Sequence, residues 1–154
     1  MAPAKPLVQV NPRNFTLEEA NRTLPLLKMI VGDIVRQSRL VDTLQQRVAR
    51  VTRDRRRASD DPYSEELAQT QSELDTEGEK LQSYVEELRS LGVELKDDKI
   101  GLCDFLSLMN GREVYLCWRL GEPEVQFWHD LDAGFAGRQK IHGQLRPAAT
   151  EDRR

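Results

Sequence analysis

The sequence predicts an α+β fold: a long antiparallel helical hairpin of coiled-coil character, followed by a small three-stranded antiparallel β-sheet. Three observations carry that reading. Apolar residues recur at alternating steps of three and four between Leu24 and Val51, and again between Tyr63 and Leu91. The segment Ala58-Ser59-Asp60-Asp61-Pro62 separates the two runs and reads as a turn. After Gly92 the period changes to two, and Asn110-Gly111, the strongest hairpin signal in the chain, sits between two alternating segments.

Composition agrees with this division. Of 154 residues, 38% are hydrophobic and 32% charged, which is polar for a globular chain and suits helices that bury only a narrow stripe. One domain is expected over residues 15–141, made of the hairpin (15–92) and a β head with a glycine loop (93–141). Residues 1–14, with Pro3, Pro6 and Pro12, read as an extended arm, and residues 142–154 as a polar, disordered tail. A net charge of −3 provides no basic field for nucleic acid. No apolar run reaches membrane-spanning length, the opening residues do not read as a signal peptide, and Cys103 and Cys117 read as reduced thiols, so a cytoplasmic protein is expected.

The elements follow in order. Thr16 caps the amide of Glu19 and Glu19 reaches back to that of Thr16, opening a first short helix that runs to about Arg22. Pro25 fits a first turn but not an interior, so a bend and a restart near Leu24, capped by Thr23, are expected. Leu24, Leu27, Val31, Ile34, Ser38 and Val41 form one seam, which slips by one residue and resumes at Leu44, Val48 and Val51. Asp61 and Pro62 begin the next helix, whose seam is Tyr63, Leu67, Thr70, Leu74, Glu77, Leu81, Tyr84, Leu88 and Leu91, and Leu91-Gly92-Val93 stops it with a left-handed glycine. Two helices of about 30 residues would each reach roughly 45 Å, more than a small sheet of about 20 Å covers. The hairpin is therefore expected to pair with itself in a four-helix arrangement.

In the head, a two-residue turn at Asn110-Gly111 pairs Met109 with Arg112, Phe105 with Leu116 and Cys103 with Trp118. One face holds Cys103, Phe105, Val114, Leu116 and Trp118 and is expected to meet the helices; the other holds Asp104, Leu106, Leu108, Glu113, Tyr115 and Cys117. The cysteines lie on opposite faces and are not expected to form a disulfide. Gly121-Glu122-Pro123 turns the chain into a third strand, Val125 to His129, in which Val125, Phe127 and His129 share the face opposite to that of Cys117.

Several of these residues form a recognisable pattern. The runs GREVYLCWRLGE (111–122) and FWHDLDAGFAGR (127–138), the opening LEEAN (17–21) with Leu24-Pro25, and the joint LGVELK (91–96) resemble the prokaryotic domain of unknown function 2203 family over roughly Phe15 to Ile141. The chain departs from the family pattern at Leu106, where proline is expected after Asp104-Phe105. The resemblance implies a bacterial origin and a shared site; it implies no chemistry.

Four groups of residues are candidate sites. Glu122, His129 and Asp132, with Asp130 and Cys117 of the preceding strand nearby, are ligand types for zinc, iron or manganese, and a divalent metal is the cofactor that Glu122, His129 and Asp132 would take. The competing reading has His129 bonding a backbone carbonyl and Asp132 capping the glycine turn. Gly134, Gly137 and Arg138 form a loop in which backbone approach and a guanidinium would suit a carboxylate or phosphate; otherwise Phe135 plugs the core and Arg138 pairs with Glu122 or Asp132. Tyr115, Trp128, Cys117, Asp104 and Glu113 would line a pocket on the open sheet face, but Cys117 lacks a base there because His129 falls on the other side. Arg53, Arg55, Arg56 and Arg57 are matched by Asp60, Asp61, Glu65 and Glu66 across the hairpin, which accounts for them without nucleic acid. The leading reading is a non-catalytic, homo-oligomeric interaction or scaffold module whose partner is a second copy, or another protein, engaged through the hairpin. The rival is a metal- or small-ligand-binding protein, an enzyme included, with its site around Glu122, His129, Asp132 and Arg138.

Overall fold

The computed structural model describes residues 14–57 and 64–142. The arm up to residue 13, the turn with its Asp61-Pro62 cap, Tyr63, and the tail from residue 143 lie outside the described residues. Helix α1 (Leu17–Arg57) and helix α2 (Ser64–Ser90) form the antiparallel hairpin. Five strands follow: β1 (Glu94–Asp97), β2 (Leu102–Met109), β3 (Arg112–Arg119), β4 (Phe127–Asp130) and β5 (Gln139–Lys140). They make one antiparallel meander in chain order. The sheet thus has five strands where three were expected. The two extra strands flank it, and both are short: β1 is exposed at alternate positions with charged residues, and β5 has two residues, so neither carries an apolar alternation.

The capping box forms as expected, with Glu19 N–H donating to Thr16 Oγ1 and Thr16 N–H to Glu19 Oε1, both at 3.0 Å. The expected interruption and restart at Pro25 are absent: α1 is one helix that runs through it. Proline costs a helix one hydrogen bond, but Ala20, Leu24 and Leu27 on either side of it are fully buried, and their packing holds the helix together. The hydroxyl of Thr23 does not cap a new helix; it donates to Glu19 O within α1. Leu24, Leu27, Val31, Ile34, Ser38, Val41, Leu44 and Val51 are buried, as the seam requires. The two helices are keyed by Gln37, whose Nε2 donates to Glu77 O at 3.0 Å and to Glu77 Oε1 at 2.6 Å. Gly92 is left-handed (φ 88) and stops α2, with Val93 buried beyond it. No described helix is long and apolar enough to cross a membrane.

The β2–β3 register matches the expected pairs, and the turn residues Asn110 and Gly111 both have positive φ, as a tight hairpin turn demands. The inner sheet face brings Cys103, Phe105, Val114, Leu116 and Trp118 into one core with Leu24, Leu27, Val31, Ile34 and Leu88. Four attachments sew the sheet to α1. Phe15 N–H donates to Leu106 O and Ser107 Oγ to Phe15 O. Val125 N–H donates to Asn21 Oδ1 at 2.7 Å. Lys28 Nζ reaches Pro123 O, and Lys99 Nζ reaches Ser38 Oγ and the carboxylate of Asp42. Gly101, in the β1–β2 turn, lies so close to α1 that an added Cβ would sit 2.9 Å from Val31 Cγ1 and 2.7 Å from Leu120 Cβ. The attachments end near Asp42, so among the described residues the last 15 of α1 extend past them alongside α2.

Candidate metal centre on the outer sheet face

The outer face of the sheet is built by strand register. Residues paired across an antiparallel ladder share a face, so Asp104 on β2 and Cys117 on β3 stand side by side, as do Tyr115 and His129. His129 therefore shares the face of Cys117 and Asp104, whereas sequence periodicity assigned it to the opposite one. Trp128, expected on the open face, pairs with Leu116 and turns inward. The reason is local. Val125 is buried in the core ahead of the strand, and its N–H goes to Asn21, outside the β ladder. An alternation counted from Val125 begins before the strand does, and a slip of one residue inverts both faces.

His129 is 2% exposed and both ring nitrogens are engaged. Nδ1 lies 2.7 Å from Asp130 O, and a carbonyl only accepts, so Nδ1 carries the proton. Nε2 faces the carboxylate of Asp104, 3.1 Å from Oδ1 and 3.0 Å from Oδ2. With Nδ1 assigned, this contact needs one proton, held either as imidazolium against carboxylate or as a neutral pair. Burial pushes the Asp104 carboxyl above its ordinary range, and the charge and hydrogen bond of His129 oppose that rise. The Tyr115 ring packs on His129 with centroids 5.6 Å apart, and its hydroxyl donates to Glu94 Oε2 at 2.8 Å. Burial, then this hydrogen bond, pushes the phenol up to about 12.

Cys117 is fully buried beside this pair. Burial and the Asp104 carboxylate push its thiol up to about 12, against the opposing charge of Arg138. It is thus a thiol at neutral pH and no nucleophile. Among the described residues, one group of three or more histidine, cysteine or carboxylate side chains brings a ligand atom from each within 4.8 Å of the others: Asp104, Cys117 and His129. Glu122, His129 and Asp132 do not converge. The Glu122 carboxylate is taken by Arg138, whose two terminal nitrogens each lie 2.8 Å from one of its oxygens, and by the N–H of Arg119. Burial opposes ionisation of Glu122, but the Arg138 and Arg119 bonds outweigh it and hold its pKa below the ordinary value. Asp132 is exposed on the loop.

The glycine loop is likewise committed within the chain. Arg138 also donates to Cys117 O, and its guanidinium lies over the rings of Phe127 and Phe135, at 4.1 and 4.8 Å. Phe135, expected to plug the core, is 41% exposed and covers Arg138 instead. Gly134 needs its positive φ of 72, and Gly137 is pressed against Ala133, where a Cβ would meet Ala133 Cβ at 2.7 Å. These contacts account for Gly134, Gly137 and Arg138 as loop architecture. Cys103 and Cys117 are free and buried, without a disulfide. At the hairpin end, Arg53 is exposed and makes no ion pair with Glu65 or Glu66; the side chains of Arg55, Arg56 and Arg57, with Asp60 and Asp61, lie outside the described residues.

No curated protein and no solved structure gives a significant match to the chain. Comparison with protein families matches residues 13–141 to the family described as uncharacterized conserved protein (DUF2203), and that span includes both helices, every strand and the Asp104, Cys117 and His129 cluster. The chain belongs to this family.

Proposed function

We propose that the protein binds one divalent transition metal in its β head, with Asp104, Cys117 and His129 as the protein ligands. The observation that carries this reading is the approach of the three ligand atoms to within 4.8 Å of one another on a buried face. The donors are chemically suited: imidazole nitrogen, thiolate sulfur and carboxylate oxygen are the ligands of zinc, and of other borderline metals such as iron or cobalt. The proton on Nδ1, held by Asp130 O, leaves Nε2 as the nitrogen that would ligate once the proton it shares with Asp104 is displaced, the usual arrangement of a ligating histidine. A tetrahedral zinc with bonds of about 2.0–2.3 Å sets its ligand atoms roughly 3.5 Å apart, so the three side chains need only a small contraction. The metal would displace the proton held between Asp104 and His129 and that of the Cys117 thiol, so binding would strengthen as pH rises. Three protein ligands leave one coordination position for water or a small ligand.

The test is cobalt titration of untagged, chelator-treated protein. The expected result is one equivalent bound with the visible bands of a tetrahedral site and a sulfur-to-cobalt charge-transfer band. Cys117→Ser removes the charge-transfer band, His129→Ala removes binding, and Asp132→Asn leaves both unchanged. Spectra of aquated cobalt alone, together with a melting temperature indifferent to zinc, would sink the reading. Loss of binding in Asp132→Asn would move the site to the other ligand set.

A further inference from the structure

The hairpin carries a second surface, independent of the β head. Leu26, Met29 and Leu40 on α1 are 45%, 69% and 41% exposed. At 100° per residue they fall, with Asp33, Arg36 and Arg47, within about 80° of one another around the helix. That stripe lies opposite Val31 and Val35, which face the sheet. The charges of the hairpin are segregated along the same axis. Between Thr43 and Arg57, α1 carries six arginines and one acid; between Ser64 and Glu79, α2 carries six acids and no base. Arg39, Arg47 and Arg50 are exposed and make no ion pair among the described residues, and the same is true of Glu65, Glu66, Glu73, Asp75 and Glu79. Opposite charges that share one hairpin but, among the described residues named, leave each other unpaired are complementary between two copies.

We infer that this face is a homotypic interface, and that its occupant is the hairpin of a second copy related by a two-fold axis running along the helices. Such an axis preserves levels, and the Gln37–Glu77 hydrogen bonds define them. The α1 stripe of one copy then lies along α2 of the other. Leu40 falls at the level of the partner's Leu74, and Met29 at that of the partner's Val85. Arg36 and Arg39 come beside Asp75 and Glu79 of the partner subunit, and Arg47 and Arg50 beside the partner's Glu65 and Glu66. Leu26, Met29 and Leu40 supply the apolar part of the contact, and the arginines interleaved with and beyond them supply its charge pairs. The four helices make a bundle that begins opposite the sheet, at Leu26, Met29 and Leu40, and continues along the distal hairpin.

The experiment is sedimentation of the full chain and its variants across a range of concentration and salt. The expected species is a dimer at about 10 µM in roughly 0.1 M salt, weakening as salt screens the rim. Met29→Glu combined with Leu40→Glu sediments as a monomer with unchanged helix content and melting behaviour, since both positions are exposed. Arg47→Glu with Arg50→Glu raises the dissociation constant roughly tenfold, and adding Glu65→Arg with Glu66→Arg restores it. A wild-type chain that remains monomeric at about 100 µM overturns the inference. So does a dimer that survives the Met29 and Leu40 substitutions, or one whose charge reversal is not rescued. None of these variants touches Asp104, Cys117 or His129, so the two proposals stand or fall separately.

Discussion

Nε2 of His129 on β4 lies 3.0 and 3.1 Å from the two carboxylate oxygens of Asp104 on β2, across the intervening strand β3. The contact is among the least exposed in the head, with side-chain exposures of 2% and 3%. In metal-free protein, His129→Ala leaves the Asp104 carboxyl without its partner, an expected loss of about 3–5 kcal/mol. Asp104→Asn keeps an N–H that donates to Nε2 and is expected to cost about 1 kcal/mol. Urea unfolding of both variants measures the difference, and equal losses would show that the pairing contributes nothing specific.

The cysteines are expected to resist alkylation. Cys103 and Cys117 are both fully buried, and burial raises both thiols, that of Cys117 to about 12. Iodoacetamide at neutral pH should label neither in the native state and both in denaturant. Mass spectrometry of peptides containing each cysteine reads this out, and fast native labelling of Cys117 would mean that the outer face opens.

Two glycines make a contrasting pair. Gly101→Ala forces a Cβ into Val31 and Leu120 at a φ of 72, and the expected loss is about 2–4 kcal/mol. Gly78 lies inside α2 with nothing within 4 Å of an added Cβ, so Gly78→Ala should stabilise by about 0.5–1 kcal/mol. Thermal melting of the two variants should shift in opposite directions.

Acid should weaken the Glu122–Arg138 clamp. The folded-state pKa of Glu122 is lowered, so its contribution is fully present above the ordinary value of 4.5 and is lost as pH falls through the depressed folded value. Glu122→Gln is expected to cost about 1–3 kcal/mol at pH 7. The gap between wild type and variant should close on acidification below 4.5, and a gap independent of pH would contradict the ionised clamp.

Much of the fold was legible in the chain because its signals are local. The Thr16–Glu19 capping box needs four residues, the Asn110-Gly111 turn sets eight cross-strand pairs, and Gly92 marks a helix end by its backbone alone. What stayed hidden depends on partners distant in sequence. Pro25 is tolerated because tertiary packing on both sides overrides its local cost. Strand β5 exists because Phe127 and Trp128 provide an edge for Gln139 and Lys140. The cluster was half legible: the hairpin register already set Asp104 beside Cys117, and only the parity of β4 kept His129 from joining them. Anchoring the inner face at Trp128, and treating Val125 as part of the irregular stretch that follows Pro123, would have brought the three together.

The stitches between α1 and the sheet also set an order in time. Asn21 is secured by Val125, 104 residues later, and Phe15 by Ser107, 92 residues later. A ribosome delivers the first helix long before the strands that complete its N-terminal end, so Leu24, Leu27 and Val31 emerge with no sheet to cover them. The hairpin, whose contacts are closer in sequence, can zip first and shelter part of that surface. Closure of the head then waits for the residues around β4, and a chain truncated before Val125 would leave Asn21 without its partner.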